Sequence, residues 1–153
     1  MTHTNRKSKG AGFTIIEVLI VLAIAGLILL IVFLAVPALQ RNSRNTQRKN
    51  EVAGLLGAVN EYVNNNNGTM PTTAAAQTAA LANAKISFYT GNVTWQAGAQ
   101  TNNTTTETAV IVTGAKCDPA NNGNTLAGSS RQVATMYQVE TGNGAGQKIC
   151  QDS

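Results

Sequence analysis

Side chains able to do chemistry are few in this chain, so the reactions open to it are quickly bounded. The sole histidine, His3, stands ahead of a long apolar run. The remainder therefore has no imidazole to activate a serine or cysteine nucleophile. Cys117 and Cys150 are the only cysteines, and two thiolates without a histidine do not complete a four-ligand zinc site. Asp118, Asn122 and Gly123 faintly resemble a calcium loop, but Ala120 and Ser129 stand where oxygen ligands are wanted, which favours a solvated loop. No motif pairs two carboxylates for acid–base work. The expectation is a protein that is not an enzyme, with no catalytic residue, no metal and no cofactor.

Glu17 stands apart from the other acids. It is the lone carboxylate of an apolar stretch, and behind it Val18 to Gln40 runs for 23 residues without a charge. At about 1.5 Å per residue that run crosses a bilayer core of about 30 Å. A carboxylate in lipid costs roughly 2.5 kcal/mol or more, so Glu17 calls for a partner and marks a functional position. The bland alternative is an uncleaved signal anchor in which Glu17 merely reaches toward the headgroups. A secretory signal fits less well, because its apolar region is usually about 7 to 15 residues and ends at a small-residue cleavage site. Gly26 permits close approach of a second helix, and Pro37 removes a backbone donor and should bend the helix or loosen a turn.

The elements that carry these residues follow from periodicity. After Gln40 the chain turns polar, and Val52, Leu55, Leu56, Val59, Tyr62 and Val63 recur at helical spacing, so one amphipathic stripe continues the same helix. The run Asn64 to Asn67 followed by Gly68 should end it. The spacing thus predicts a helix of roughly 50 residues, apolar all round in its first half and one-sided in its second. Thr73 to Ala84 reads as a short Ala-rich helix. Strands are expected at Ile86 to Tyr89, Val93 to Gln96, Thr108 to Thr113 and Gln132 to Glu140, between Gly, Asn and Thr clusters. Alternation of Val133, Thr135, Tyr137 and Val139 with Ala134, Met136, Gln138 and Glu140 predicts one packed face and one partly wet. The fold class is α+β: a long N-terminal helix packed on a small antiparallel sheet. Trp95, in a strand, reads as core more readily than as a ligand contact.

Charge adds a restriction. Arg6, Lys7 and Lys9 lie in the first twelve residues, and from Phe13 onward there are eight basic and seven acidic residues, too even a balance to steer polyanions. Arg41, Arg44, Arg48 and Lys49 form one local basic segment. Anchoring at headgroup level or contact between subunits suits it better than a grip on nucleic acid, which is kept as an open partner. Only 12% of residues are charged, while Asn and Thr supply 36, a composition suited to an exported surface.

The block Gly10 to Pro37, GAGFTIIEVLIVLAIAGLILLIVFLAVP, resembles the N-terminal signature of type IV pilins and pseudopilins. The resemblance implies that Gly12 is the last leader residue and Phe13 the first mature residue. It also implies that a membrane-embedded prepilin peptidase cuts between them and methylates the new amine of Phe13. Glu17 is then the glutamate that directs assembly. The family often has its helix-kinking proline nearer the start than Pro37. The implied organisation is a leader at 1–12, a transmembrane half-helix at 13–40, an amphipathic half-helix at 41–67 and an exported β-rich head at 68–153. The implied partners are other copies of the chain in a helical polymer, the prepilin peptidase, an assembly ATPase with an inner-membrane platform protein, and the membrane before assembly. The implied localisation is single-pass in the cytoplasmic membrane with the head exported, then a cell-surface filament. Such filaments serve adhesion, twitching motility or DNA uptake. A pseudopilin of a type II secretion or DNA-uptake machine shares these features, and a membrane-anchored binding protein that never polymerises is the alternative from another class.

Three basic residues precede the apolar run and four follow it, a count that by itself would keep the head inside. The Thr/Asn-rich head and the cleavage motif weigh for export. In an exported head Cys117 and Cys150 are expected to pair and close a loop of about 34 residues, with two free thiols as the alternative.

Overall fold

The computed structural model describes residues 12–153, so the expected leader before Gly12, with His3, Arg6, Lys7 and Lys9, lies outside the described residues. Two compact units divide the chain between Leu39 and Gln40. Helix α1 spans Ile15–Asn65 and remains helical on both sides of Pro37. In the first unit every residue from Gly12 to Pro37 is exposed, so this half of the helix is apolar on all sides and uncovered among the described residues.

The second unit is built where the sequence turns amphipathic. Val52, Leu55, Leu56, Val59 and Val63 are buried along one stripe of α1, the i, i+3, i+4, i+7 spacing of a single helical face. The helix ends in a Schellman-type turn: Asn67 takes φ 55° and the Gly68 amide donates to the Val63 carbonyl at 2.8 Å. The left-handed residue at the turn is thus Asn67 as well as Gly68. Helix α2 is Ala74–Leu81, with the Thr73 hydroxyl accepting from the Ala76 amide.

Six strands follow: β1 Val93–Ala97, β2 Ala109–Thr113, β3 Ala115–Cys117, β4 Thr125–Ala127, β5 Val133–Glu140 and β6 Gly146–Asp152. A four-stranded sheet has the order β1-β2-β5-β6, and β3 and β4 form a separate antiparallel pair. The stripe of α1 joins Ile111, Val133, Tyr137, Val139 and Tyr89 in one core cluster, with Trp95 packed at its margin. The α+β class holds, but the sheet is mixed: β1 runs parallel to β2, Val93 facing Ala109, while the other pairs are antiparallel. Parallel neighbours need a crossover, and residues 98–108 supply it. Asn102, fully buried, fixes this loop by donating to the Tyr137 and Ile149 carbonyls and accepting from the Thr104 amide and hydroxyl. That arrangement satisfies the amide's buried polar atoms.

One further expectation is corrected. Ile86 to Tyr89 is not a strand. Its donors go to the carboxylate of Glu51 instead: the Ser87 hydroxyl at 2.7 Å, the Phe88 amide at 2.8 Å and the Tyr89 amide at 3.1 Å. A segment whose amides are spent on a carboxylate has none for a ladder. The second face of β5 is partly wet, as expected: Ala134 and Met136 are buried, Met136 packing with Val112 and Ala115, while Gln138 and Glu140 stay half-buried.

Candidate functional site

The first residues of the described chain form a capping box. Thr14 precedes the first helical residue, its hydroxyl accepts from the Glu17 amide at 3.3 Å, and the Glu17 carboxylate accepts from the Thr14 amide at 2.8 Å and the Thr14 hydroxyl at 2.7 Å. Two orphan donors at the helix start are satisfied reciprocally. The Thr-x-x-Glu spacing of such a box is legible in the sequence at Thr14 and Glu17. Glu17 is therefore held at the helix mouth by its own chain. One of its carboxylate oxygens receives both bonds, which leaves acceptor capacity for a second donor.

Ahead of the cap, Phe13 is 89% exposed and no atom of the described residues lies within 4 Å of where a Cβ on Gly12 would sit. The bond joining Gly12 to Phe13 is thus sterically open. Phe13 and Glu17 line one shallow apolar concavity with Val18, Val21 and Leu22, so the structure brings together two of the residues singled out from the sequence. The exposed apolar side chains that follow would each gain about 1.5–3 kcal/mol when removed from water.

In the head, the basic segment is used differently from the expectation. Arg48 has no exposed surface; its Nη1 lies 2.8 Å from Glu140 Oε1, its Nε donates to the Thr106 carbonyl at 2.9 Å, and its Cζ stands 4.1 Å over the Phe88 ring. Arg44 pairs with the same carboxylate through Nε at 2.9 Å and Nη2 at 2.5 Å, a two-pronged contact suited to guanidinium. The Arg44 bonds, aided by those of Arg48, hold the Glu140 carboxyl down from its ordinary value of 4.5 to about 2, against the opposing effect of partial burial. Asn45 completes the clasp, donating to the Glu140 carbonyl and accepting from its amide, both at 2.8 Å. Arg44 and Arg48 are thereby committed within the head, while Lys49 stays exposed and Arg41 half-buried.

Cys117 and Cys150 form a disulfide with their Cα atoms 5.6 Å apart, joining β3 to β6. Asp118 caps the turn beyond β3, accepting from the Ala120 amide at 2.8 Å and the Asn121 side chain at 3.2 Å. Those bonds to the charged form lower its pKa. The turn is thus closed by protein donors. Among the described residues no group of three His, Cys, Asp or Glu side chains is placed to hold a metal ion. A cleft of about 490 Å³ on the sheet face away from α1 is lined by Thr94, Gln96, Gln100, Asn103 and Thr104 over Met136, with no titratable side chain.

Residues 7–33 match the family model described as the prokaryotic N-terminal methylation motif. The chain thus carries the N-terminal signal of type IV pilin-like and pseudopilin precursors, on what is among the described residues the one helix long and apolar enough to cross a membrane. Gly12, Phe13, Thr14 and Glu17 all fall inside the matched segment. No curated protein and no solved structure matches the chain.

Proposed function

We propose that the chain is a structural subunit, not an enzyme, of a type IV pilus-like filament. The observation that carries this is the methylation motif on a helix whose residues from Phe13 to Pro37 are all exposed among the described residues. A prepilin peptidase removes residues 1–12 and methylates the amine of Phe13. An assembly ATPase and inner-membrane platform then draw the stored subunit into a helical polymer, whose core is formed by the apolar halves of α1. The head is exported and tiles the outside.

The test is to shear surface material from the producing cell, image it and weigh the subunit. The expected result is filaments whose subunit mass corresponds to a chain that begins at methylated Phe13. A subunit that retains residues 1–12 overturns the cleavage assignment. A pseudopilin would show the same processed N-terminus without abundant long filaments, and a monomeric anchored protein would show neither filaments nor processing.

A further inference from the structure

The chain has three Asn-Gly pairs, Asn67-Gly68, Asn122-Gly123 and Asn143-Gly144, and all three asparagines are exposed. In such a pair the glycine amide nitrogen, after losing its proton, attacks Cγ of the asparagine. A five-membered succinimide forms and ammonia leaves. Water then opens the ring: attack at the side-chain carbonyl yields aspartate, and attack at the backbone carbonyl yields isoaspartate. No oxidant and no enzyme is required, only water and a backbone free to close the ring. All three glycines adopt positive φ, at 80°, 105° and 77° in chain order, so backbone handedness does not distinguish them. Their surroundings do.

The attacking nitrogen of Gly68 is engaged, donating to the Val63 carbonyl at 2.8 Å in the turn that ends α1; reaction there requires that turn to open. Gly123 is buried, and a Cβ at that position would lie 2.7 Å from the Lys148 Cβ and 3.0 Å from the Lys148 carbonyl carbon. Its peptide has no room to swing. Asn143-Gly144 sits in the exposed loop between β5 and β6. The Gly144 amide makes only a 3.4 Å contact to the Thr141 carbonyl, and nothing lies within 4 Å of where its Cβ would be. We infer that Asn143 is the site at which the folded head undergoes spontaneous deamidation, giving a head that carries one new carboxylate at the tip of the β5–β6 hairpin. Arg41 lies close to that loop, its Nη1 4.0 Å from where a Cβ on Gly142 would stand. The new charge therefore arises beside the basic segment.

The test uses the full chain in detergent micelles, incubated at mildly alkaline pH and sampled over time. Peptide mapping follows the mass change of amide to acid, and an isoaspartyl methyltransferase serves as the probe for the rearranged product. Asn143 is expected to react at least about tenfold faster than Asn67 or Asn122, because local opening must precede reaction at the latter two. In denaturant the three sites share one dipeptide and should converge in rate. Asn143→Gln should remove the early product without altering head stability. Reaction at Asn67 or Asn122 as fast as at Asn143 in the folded chain overturns the inference, as does an Asn143 that is inert when folded but reactive when unfolded.

Discussion

Glu140 and Glu17 are both carboxylates with dedicated partners, yet they serve different ends. Arg48 is buried with Glu140 as its closest counter-charge, and removing one member of such a pair leaves the other uncompensated. Glu140→Gln should lower head stability by about 2–3 kcal/mol at neutral pH, less than the fully buried limit because Glu140 keeps 24% of its side chain exposed. The sign of the pH dependence follows from its depressed pKa. Unfolded Glu140 titrates near 4.5 and folded Glu140 near 2, so its contribution is complete above 4.5 and fades as pH falls toward 2. Denaturant melts across that window should show a flatter acid limb in the variant; an unchanged profile would remove Glu140 from the account. Glu17 lies one helical turn from Phe13 and is bonded to Thr14, so charge and cap must be separated experimentally. Glu17→Gln keeps the capping box, since Gln also serves at that position, but cannot pair with the amine of a neighbouring Phe13. If the charge directs assembly, Glu17→Gln and Glu17→Ala should both cut filament yield sharply with the head still folded, and Glu17→Asp should retain part of it. Filaments at parental yield from Glu17→Gln would assign the residue to capping alone.

At the scale of the element, the second half of α1 has two faces with opposite sensitivities. Leu55 is fully buried in the core, and Leu55→Ala should cost about 2–5 kcal/mol through lost burial and the cavity left behind. Gly57 faces away, exposed and with nothing within 4 Å of a built Cβ. Gly57→Ala should therefore raise the stability of the head by about 0.5–1 kcal/mol, because glycine is the poorer helix former. Chemical denaturation of the two variants should move the midpoint in opposite directions. This same periodicity made α1 readable from sequence nearly to its last residue, and the long hydrophobic strands β2 and β5 were readable for the same reason. Strands β3 and β4 span three residues each, and β6, Gly-Gln-Lys-Ile-Cys-Gln-Asp, has a single large aliphatic. Their pairing is fixed by neighbours and by the disulfide, and neither leaves a hydrophobic period. The parallel placement of β1 depends on one buried amide, Asn102, inside a Thr/Asn-rich loop where nothing marks it from the others. The capping role of Thr14 and the burial of Arg48 were missed for related reasons: the first was a legible motif passed over, and the second depends on Glu140, 92 positions away in the sequence.

The division of the chain between Leu39 and Gln40 has a consequence for the whole molecule, since every residue of both core clusters lies at Val52 or beyond. The clasp of Arg44, Asn45 and Arg48 on Glu140 is likewise internal to the second unit. A fragment of residues 40–153 should thus fold in water without membrane or detergent, and because it lacks the apolar half of α1 it should not polymerise. Within it the Cys117–Cys150 bond carries much of the margin. The sequence separation is 33, and closing a loop of that size restricts the unfolded chain by about 4 kcal/mol. A domain this small has a net stability of only about 5–15 kcal/mol, so the staple is a large share of the total. It also ties β6, an edge strand, to the β3–β4 pair, which among the main strand pairings is outside the four-stranded sheet. The double variant Cys117→Ser, Cys150→Ser should accordingly melt well below the parent fragment, with a lowered denaturant midpoint and its first loss of amide protection in β3, β4 and β6. Hydrogen exchange read strand by strand checks this. Uniform loss across β2 and β5 at the same rate would mean that the disulfide stabilises the head as one cooperative block and gives no special hold to its edge.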